Sequence, residues 1–249
     1  MLKSFDVTKK YGSTTAVDGV TLELPPGHIY AMLGPNGSGK TTWMKMAAGL
    51  VKPTSGTITS DDMNIGPATK RQIAYMSTEP YFYSWMSVRD AGKYYGDFFR
   101  DFSDEKYRML LERMELTGDM KVKALSTGMM AKLKIAVTMA REAKVIMLDE
   151  PLNGIDLIAR DEIAYTIREL AGRDVTLLVS SHLVEELEEI SDSAVFMKRG
   201  RLVLAGSTDD IKRQEGKSIT DVYRDIYGGG EALHEGGLIH RGDRRDKSC

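Results

Sequence analysis

The chain has 249 residues, of which 42% are hydrophobic and 28% charged, a globular composition that argues against a disordered, collagen-like or coiled-coil protein. Its 34 Lys and Arg residues nearly balance 36 Asp and Glu residues, so the net charge of -2 excludes a global field that attracts nucleic acid or anionic lipid. The only cysteine, Cys249, excludes an intrachain disulfide and a multi-cysteine metal site, and it indicates a reducing compartment.

Apolar runs are short along the whole sequence. No signal-like run opens the chain and nowhere do about 18 consecutive apolar residues occur, so we expect neither a secretion signal nor a membrane span. Residues 1–33 alternate between apolar and polar side chains in the β-strand pattern. A helix is predicted from Thr41 to a point before Pro53, and a strand follows at 56–60.

The middle of the chain has a different composition. Residues 81–102 hold nine of the chain's 19 Phe, Trp and Tyr residues, and helical periodicity dominates from there to about Ala140. We therefore predict a helical subdomain inserted at about 81–140. Residues 144–206 then alternate between apolar strands and amphipathic helices, which predicts an α/β fold with a parallel sheet covered on both sides. The tail at 228–249 is rich in glycine and charge and is predicted to be disordered.

A phosphate-binding loop is predicted between a short apolar strand and the first helix, where the pattern G-x-x-x-x-G-K-[ST] occurs. A glycine-rich turn lets backbone N–H groups converge on phosphate oxygens, and the helix N-terminus adds partial positive charge. Lys40 is expected to reach the β- and γ-phosphates, and the Thr41 hydroxyl to bind Mg²⁺. The predicted nucleotide contacts are Gly34, Pro35, Asn36, Gly37, Ser38, Gly39, Lys40, Thr41 and Thr42.

Two carboxylates follow the apolar run at 145–148, as expected at the carboxyl end of a buried parallel strand that opens on a ligand site. Asp149 suits the ligand shell of Mg²⁺. Glu150 is expected to point elsewhere and to polarise the water that attacks the γ-phosphate. The alternative is a strand followed by ordinary surface acids.

Over about residues 2–227 the chain resembles the nucleotide-binding subunit of an ABC transporter. The stretch Leu125–Met129 reads LSTGM where family members usually read LSGGQ. By resemblance, Ser126 and Gly128 contact the γ-phosphate of ATP bound to a partner subunit, although LSTG alone also fits a plain helix N-cap. The resemblance implies a P-loop NTPase core with a mainly parallel sheet, an N-terminal antiparallel β subdomain and an inserted α-helical subdomain. The predicted ABC ATPase domain is 1–227.

Three further positions match the family. Asp156 lies in a segment that resembles the D-loop, which implies a place at the dimer interface. His182 resembles the switch histidine that contacts the γ-phosphate, and Tyr11 resembles the aromatic residue that stacks on adenine. Taken alone, a histidine can equally be a helix cap or a surface residue, and an isolated tyrosine more often packs in a core.

One family element is missing. The glutamine of the Q-loop belongs about two residues before Pro80, where this chain has Thr78. Thr78 or Glu79 is expected to reach Mg²⁺ or the attacking water, directly or through a bridging water. Gln72 is nearby but out of register. The hydrolysis rate and its coupling to transport are the properties that this departure affects.

The aromatic stretch has two interpretations. Aromatic residues are enriched in interface cores, which favours a docking groove for a short helix of a membrane-spanning partner. The alternative is that Tyr81, Phe82, Tyr94, Phe98 and their neighbours pack the helical subdomain's own core. The pattern allows some residues to serve each purpose.

The resemblance implies an ATPase that binds ATP and Mg²⁺, with Lys40, Glu150 and His182 as catalytic residues. Its expected partners are a second ATPase subunit, identical or paralogous, arranged head to tail, and transmembrane permease subunits that hold it at the cytoplasmic face of the cell membrane. No nucleic-acid partner is expected. We expect export of a drug, peptide or lipid-like substrate. The alternatives are an importer ATPase and a soluble ABC ATPase of DNA repair or translation. A GTPase or metabolic kinase with a phosphate loop is a third class, but its members would lack the signature and switch-histidine positions.

Overall fold

The computed structural model describes residues 1–79, 81–172 and 174–228, which form two sheets and nine α-helices. The strands are β1 Leu2–Tyr11, β2 Thr14–Leu24, β3 His28–Leu33, β4 Ser55–Ser60, β5 Met63–Asn64, β6 Ile73–Met76, β7 Val145–Asp149, β8 Thr176–Ser181, β9 Ser193–Lys198 and β10 Arg201–Ser207. The helices are α1 Lys40–Ala47, α2 Pro67–Lys70, α3 Val88–Phe98, α4 Asp104–Arg113, α5 Thr127–Met139, α6 Leu157–Glu169, α7 Val184–Glu188, α8 Thr208–Glu215 and α9 Ile219–Gly228, with a 3₁₀ turn at Val122–Ala124.

The central sheet has the strand order β10-β9-β3-β8-β7-β6. All neighbours pair in parallel except β10, which runs antiparallel to β9. This order confirms the predicted mainly parallel sheet. Because parallel strands end at the same edge, Asp149 of β7 lies opposite Ser180 of β8, and Leu33 of β3 lies opposite Ser181.

The N-terminal sheet has the order β2-β1-β4-β5, and every pair in it is antiparallel. It confirms the predicted antiparallel β subdomain. An apolar cluster joins this sheet to α1 and to one face of the central sheet. Trp43 of α1 is fully buried in that cluster, and its indole N–H donates to Ser4 Oγ at 3.3 Å. Helix α1, which follows the phosphate loop, therefore packs against both the N-terminal sheet and the central sheet.

Helices α3, α4 and α5 form the helical part of the molecule within the predicted insertion. Serine side chains cap all three, at Ser87, Ser103 and Ser126. Helices α3 and α4 approach closely at Gly92, where a Cβ atom would lie 2.2 Å from the Tyr107 ring. The helices share one apolar cluster with the central sheet, so the signature helix α5 is packed on the same core as the strands that carry the phosphate site.

The C-terminal helices α8 and α9 were missed by the sequence predictions. Ser207 caps α8 by accepting a hydrogen bond from Asp210 N–H, and Gly216 ends it in a left-handed conformation. Ile219 of α9 is fully buried. Gly228, the first residue of the predicted tail, is the last residue of α9; residues 229–249 lie outside the described residues, and their predicted disorder stays a prediction.

Candidate functional site

The predicted phosphate loop lies between β3 and α1 and is held by close backbone packing. Gly34, Gly37 and Gly39 all have positive φ angles, of 155°, 79° and 108°. A Cβ atom at Gly34 would lie 2.4 Å from the Met197 carbonyl oxygen, and one at Gly39 would lie 2.7 Å from the Ala16 carbonyl oxygen. Glycine is required at these two positions both by the backbone conformation and by the space available.

Lys40 is the first residue of α1 and is only 5% exposed. Its ammonium group donates to the carbonyl oxygens of Gly34 at 2.5 Å and Pro35 at 3.3 Å, and it lies 3.5 Å from Glu150 Oε1. The positive charge is thus held inside the loop, bonded to the loop's own backbone. A phosphate that entered the loop would meet this charge directly.

Asp149 is fully buried at the end of β7, and three hydroxyl groups bond to it. Thr41 donates to Oδ1 at 3.1 Å and Ser180 donates to Oδ1 at 2.6 Å. Tyr75 of β6 donates to Oδ2 at 3.1 Å, and burial together with the charge of Asp149 raises the pKa of Tyr75, so its hydroxyl stays protonated. The carboxylate is held in one orientation beside the Thr41 hydroxyl.

Glu150 points away from the strand axis because its backbone adopts a left-handed conformation, with φ of 50°. Its N–H donates to Ser180 Oγ at 3.0 Å, which fixes the turn. Its Oε2 lies 2.8 Å from His182 Nδ1, while Oε1 faces Lys40. A non-glycine residue in this conformation costs about 1–2 kcal/mol, so the turn that aims this carboxylate is strained. The predicted catalytic residues Lys40, Glu150 and His182 are brought together.

A cavity of about 400 Å³ opens over the phosphate loop. It is lined by Thr14, Thr15, Ala16, Asn36, Gly37, Ser38, Gly39, Lys40, Thr41, Thr42, Thr78, Glu150, Asn153 and His182. Tyr11 lies at the end of β1, shortly before the first lining residues, with half of its side chain exposed and the Lys9 ammonium 4.9 Å from its ring centroid. An exposed aromatic ring is thus available near the edge of the cavity.

A second cavity of about 410 Å³ shares Thr78, Glu150 and Asn153 with the first. Its lining includes Ser126, Lys134, Asp149 and Glu150. Thr78 therefore lines both the phosphate-loop cavity and a space that adjoins both carboxylates. Its predicted role at Mg²⁺ stays a prediction.

The predicted signature and D-loop residues lie outside the cavity over the chain's own phosphate loop. Ser126 is exposed and accepts a hydrogen bond from Met129 N–H at 3.2 Å as the N-cap of α5. Gly128 follows on the first turn of that helix, where a Cβ atom would lie 3.2 Å from the Gly154 carbonyl oxygen. Asp156 is exposed and caps α6 by accepting from Ala159 N–H at 3.0 Å. None of these three residues lines the phosphate-loop cavity of its own chain, although Ser126 lines the neighbouring cavity together with Asp149 and Glu150.

The expected core packing of the aromatic stretch holds for Tyr81 and Phe82 and is wrong for Tyr94 and Phe98, which are exposed. The docking groove stays a prediction. Tyr81 and Phe82 pack against the main apolar core. Tyr83, Trp85, Tyr94 and Phe98 are exposed large side chains, and we name this group the aromatic surface. Within it Tyr83 stacks on Trp85 at 5.8 Å between ring centroids, and Tyr94 lies 4.7 Å from Phe98. The structure thus leaves four aromatic rings in solvent.

Three site residues were missed by sequence reasoning. Tyr75 and Ser180 orient Asp149, and Lys134 of α5 binds the backbone of the loop that carries Thr78. A signal existed for Ser180, because it lies one residue before the end of β8, the strand that follows β7 along the chain, and so reaches the same sheet edge. The sequence contains no local signal for the other two, since their partners lie far away along the chain.

The comparisons with known proteins agree with this arrangement. A family model described as ABC transporter matches residues 17–153. The lantibiotic transport ATP-binding protein SrtF of Streptococcus pyogenes is 33% identical over 217 residues, which cover 86% of this chain and 94% of that protein. The bacitracin transport ATP-binding protein BcrA of Bacillus licheniformis is 34% identical over 229 residues, which cover 88% of this chain and 74% of that protein.

Solved structures share the fold. The structure of the ATP-binding subunit of an ABC transporter superposes with a TM-score of 0.81 at 27% identity, covering 91% of this chain and 99% of that chain. A dimeric bacterial ABC transporter cassette superposes with a TM-score of 0.74 at 21% identity, covering 83% of this chain and 98% of that chain. The second likeness concerns the fold alone. Together they confirm the predicted fold class.

Proposed function

The chain belongs to the ABC transporter family as an ATP-binding subunit whose ATP hydrolysis is coupled to transport, and from this premise we propose how it works. Two ATPase subunits pair head to tail around two MgATP. The paired subunits drive transmembrane permease subunits, which export a drug, peptide or lipid-like molecule.

A single observation carries the proposal: Lys40, Glu150 and His182 form one connected group beside the phosphate-loop cavity. Lys40 Nζ lies 3.5 Å from one oxygen of Glu150, and His182 Nδ1 lies 2.8 Å from the other. A cation for phosphate, a carboxylate for water and an imidazole next to that carboxylate are the groups that γ-phosphate hydrolysis needs.

Binding of ATP begins at the phosphate loop. The loop N–H groups and the N-terminus of α1 bind the phosphate oxygens, because both present partial positive charge. Lys40 exchanges its bonds to the Gly34 and Pro35 carbonyl oxygens for bonds to the β- and γ-phosphates. Tyr11 stacks on the adenine ring.

The residues present fit a magnesium ion. Thr41 Oγ1 and Asp149 Oδ1 are 3.1 Å apart, so one cation can accept both oxygens as ligands. Within the described ranges no group of three His, Cys, Asp or Glu side chains could hold a metal by itself. A Mg²⁺ site of one carboxylate, one hydroxyl and the substrate's phosphates needs no such group. When bound, the ion neutralises charge on the β- and γ-phosphates. Thr78 is a further candidate ligand.

Hydrolysis depends on the orientation of water. Glu150 accepts a hydrogen bond from the attacking water and aligns it with the γ-phosphorus, whose bond to the ADP oxygen breaks as the bond to water forms. His182 holds the Glu150 carboxylate and contacts the γ-phosphate. Lys40 stabilises the charge on the transferring group. ADP and inorganic phosphate leave.

The signature residues act on the other subunit. Ser126 and Gly128 lie outside their own chain's phosphate cavity, at the N-terminus of α5, where a hydroxyl, backbone N–H groups and partial positive charge suit an anion. A second chain in head-to-tail orientation brings them to the γ-phosphate, with Asp156 at the interface. ATP closes the pair, and hydrolysis lets it open.

Work on a transported molecule requires membrane partners. No helix in the described part of the chain is both long and apolar enough to cross a bilayer. The aromatic surface offers a docking site for a helix of a permease subunit, because exposed aromatic side chains are typical of interface cores. Such docking holds the ATPase at the cytoplasmic face of the membrane. The lantibiotic and bacitracin transport relatives support a transported molecule of the drug or peptide class.

The test is the oligomeric state and turnover of Glu150→Gln. We expect this variant to bind ATP, to lose at least about a hundredfold in turnover, and to elute as a dimer with ATP and as a monomer without it. Glu105→Gln, on the exposed face of α4, is the matched control and should behave as the parent. Parent-like turnover of Glu150→Gln, or a monomer at saturating ATP, would contradict the proposal.

A further inference from the structure

The loop that contains Thr78 is bound by one buried ammonium group. Lys134 of α5 is 6% exposed. Its Nζ donates to three consecutive carbonyl oxygens, at 3.2 Å to Ser77, 2.9 Å to Thr78 and 2.8 Å to Glu79. A lysine ammonium has three N–H donors, so this one loop satisfies all of them.

A further neighbour of this ammonium belongs to the same segment. The ring of Tyr81 lies 5.2 Å from Lys134 Nζ, within the range of a cation–π contact. Glu79 attracts the ammonium, but its carboxylate is bonded to Lys45 of α1 at 2.9 Å. Lys134 therefore has backbone carbonyls and a ring face as its partners, where a buried cation more often has a carboxylate.

Such a burial is unfavourable for a cation. Removal from water lowers the pKa of Lys134, and the charge of Glu79 opposes this effect only in part. An apolar residue in the same helical position would avoid the desolvation. Burial of the ammonium costs desolvation free energy, and its three hydrogen bonds fix the conformation of residues 77–79.

The bound loop joins two parts of the site. Lys134 and Ser126 lie on the same helix, and Thr78 lines the phosphate-loop cavity as well as the neighbouring cavity that Asp149 adjoins. On the opposite side Glu79 pairs with Lys45, in the helix that follows the phosphate loop. Residues 77–79 are thus fixed to α5 through their backbone and to α1 through a side chain.

We propose that Lys134 is a positioning residue of the ATPase, which attaches loop 77–79 to helix α5 and so holds Thr78 at the border of the nucleotide cavity. The proposal rests on the function proposed above. In this chain, where Thr78 replaces the family's glutamine, the loop is positioned through its carbonyl groups and not through a long side chain. A displacement of α5 is passed directly to the loop.

The test compares Lys134→Met with Lys132→Met in the full 249-residue chain. Methionine keeps the length of the side chain and removes all three donors. We expect kcat for ATP to fall about tenfold in Lys134→Met, with KM within about twofold because the phosphate loop is intact. Hydrogen exchange of the amides at 77–79 should accelerate. Lys132→Met, two residues away on the same helix, should match the parent in all three measurements.

Several results would overturn the proposal. They are an unchanged kcat in folded Lys134→Met, an equal loss in Lys132→Met, and a loss of kcat without faster exchange at 77–79. If circular dichroism shows that Lys134→Met does not fold, Lys134→Gln replaces it, because glutamine keeps two N–H donors. The kcat and the exchange rate of Lys134→Gln should lie between those of the parent and those expected for Lys134→Met. Parent values of both in Lys134→Gln would also overturn the proposal. Equal turnover of Lys40→Ala and the parent would contradict the proposed function. The exchange of the amides at 77–79 would still test whether Lys134 holds the loop.

Discussion

The phosphate site and the helical part of this molecule differ in how complete they are within one chain. At the phosphate site, Lys40, Thr41, Asp149, Glu150 and His182 come from separate elements and already contact one another. In the helical part, Ser126 is exposed and caps its own helix, and the four rings of the aromatic surface are exposed and contact one another. The residues of the phosphate site are thus positioned by their own chain, whereas the helical part presents exposed surfaces to other molecules.

The difference has a physical cause. Parallel strands end at one edge of the sheet, so residues that follow β3, β7 and β8 must meet there. No such constraint brings the N-terminus of α5 to the same edge. A residue that acts on a second chain is free to remain in solvent until that chain arrives. We therefore expect substitutions in the first region to abolish binding or chemistry, and substitutions in the second to affect association.

The largest effect is expected from Lys40→Ala. Loss of the buried ammonium removes the only side-chain cation that lines the described phosphate-loop cavity, so ATP turnover should fall by about a thousandfold and nucleotide affinity should fall with it. Steady-state hydrolysis and equilibrium binding of a fluorescent ATP analogue measure the two. Lys93→Ala, exposed on α3, should leave both unchanged. Parent-like turnover of Lys40→Ala would remove the phosphate loop from the mechanism.

Ser126→Arg separates the two regions. The substitution introduces a bulky side chain on an exposed surface, so one chain should bind ATP within about threefold of the parent affinity. Turnover should fall about a hundredfold, because the arginine blocks the approach of the second chain. Steady-state hydrolysis and binding of the fluorescent ATP analogue, each measured over a range of protein concentrations, test these two expectations. An equal loss of affinity in the single chain would show that the signature acts within its own chain.

A smaller effect is expected from Thr78→Gln, which restores the family's residue. The neighbouring cavity of about 410 Å³ leaves room for the longer side chain beside Asp149 and Glu150. One added hydrogen bond contributes about 1 kcal/mol, so turnover should rise about two- to fivefold. Thr78→Ala serves as the comparison and should not rise. A decrease in Thr78→Gln would mean that this loop does not face the reacting groups.

The smallest effect on the isolated chain is expected from Trp85→Ala in the aromatic surface. The side chain is 64% exposed, so the free energy of unfolding should change by less than about 0.5 kcal/mol and ATP turnover should be unchanged. Recovery of a hydrophobic membrane protein with the tagged chain should decrease. Tyr165→Ala, equally exposed on α6, is the control and should not decrease it. If Trp85→Ala recovers as much membrane protein as the parent does, the aromatic surface is not the docking site.

Most of the fold was predictable because the patterns that define it are local. Alternation in residues 1–33 and the apolar runs at 145–148 and 176–179 indicated β1, β2, β3, β7 and β8, whereas β5 and β6 were not predicted. Helices α8 and α9 were missed although Ser207 and Asp210 form an N-cap pattern ahead of α8. Their amphipathic faces are short, and their burial depends on contacts with residues distant in sequence.

The site was predictable where motif and backbone coincide. Lys40, Thr41, Asp149 and Glu150 were identified from patterns whose geometry is set by a loop or a strand end. Tyr75 and Lys134 were not, because each bonds to a residue far away along the chain. Tyr75 is 74 residues from Asp149, and Lys134 is 56 residues from Thr78. Periodicity places Lys134 on a helix but does not reveal that its charge is buried.

The account depends on a nucleotide shared between two chains, and a crosslink tests this most directly. In a Cys249→Ser background, Asn36→Cys places a thiol in the phosphate loop and Ser126→Cys places one in the signature. A disulfide needs Cα atoms about 4.4–6.8 Å apart. With Glu150→Gln and saturating ATP we predict a covalent dimer under mild oxidation, and little without nucleotide. A crosslink that forms within one chain, or a chain that stays monomeric with ATP bound, would contradict the account.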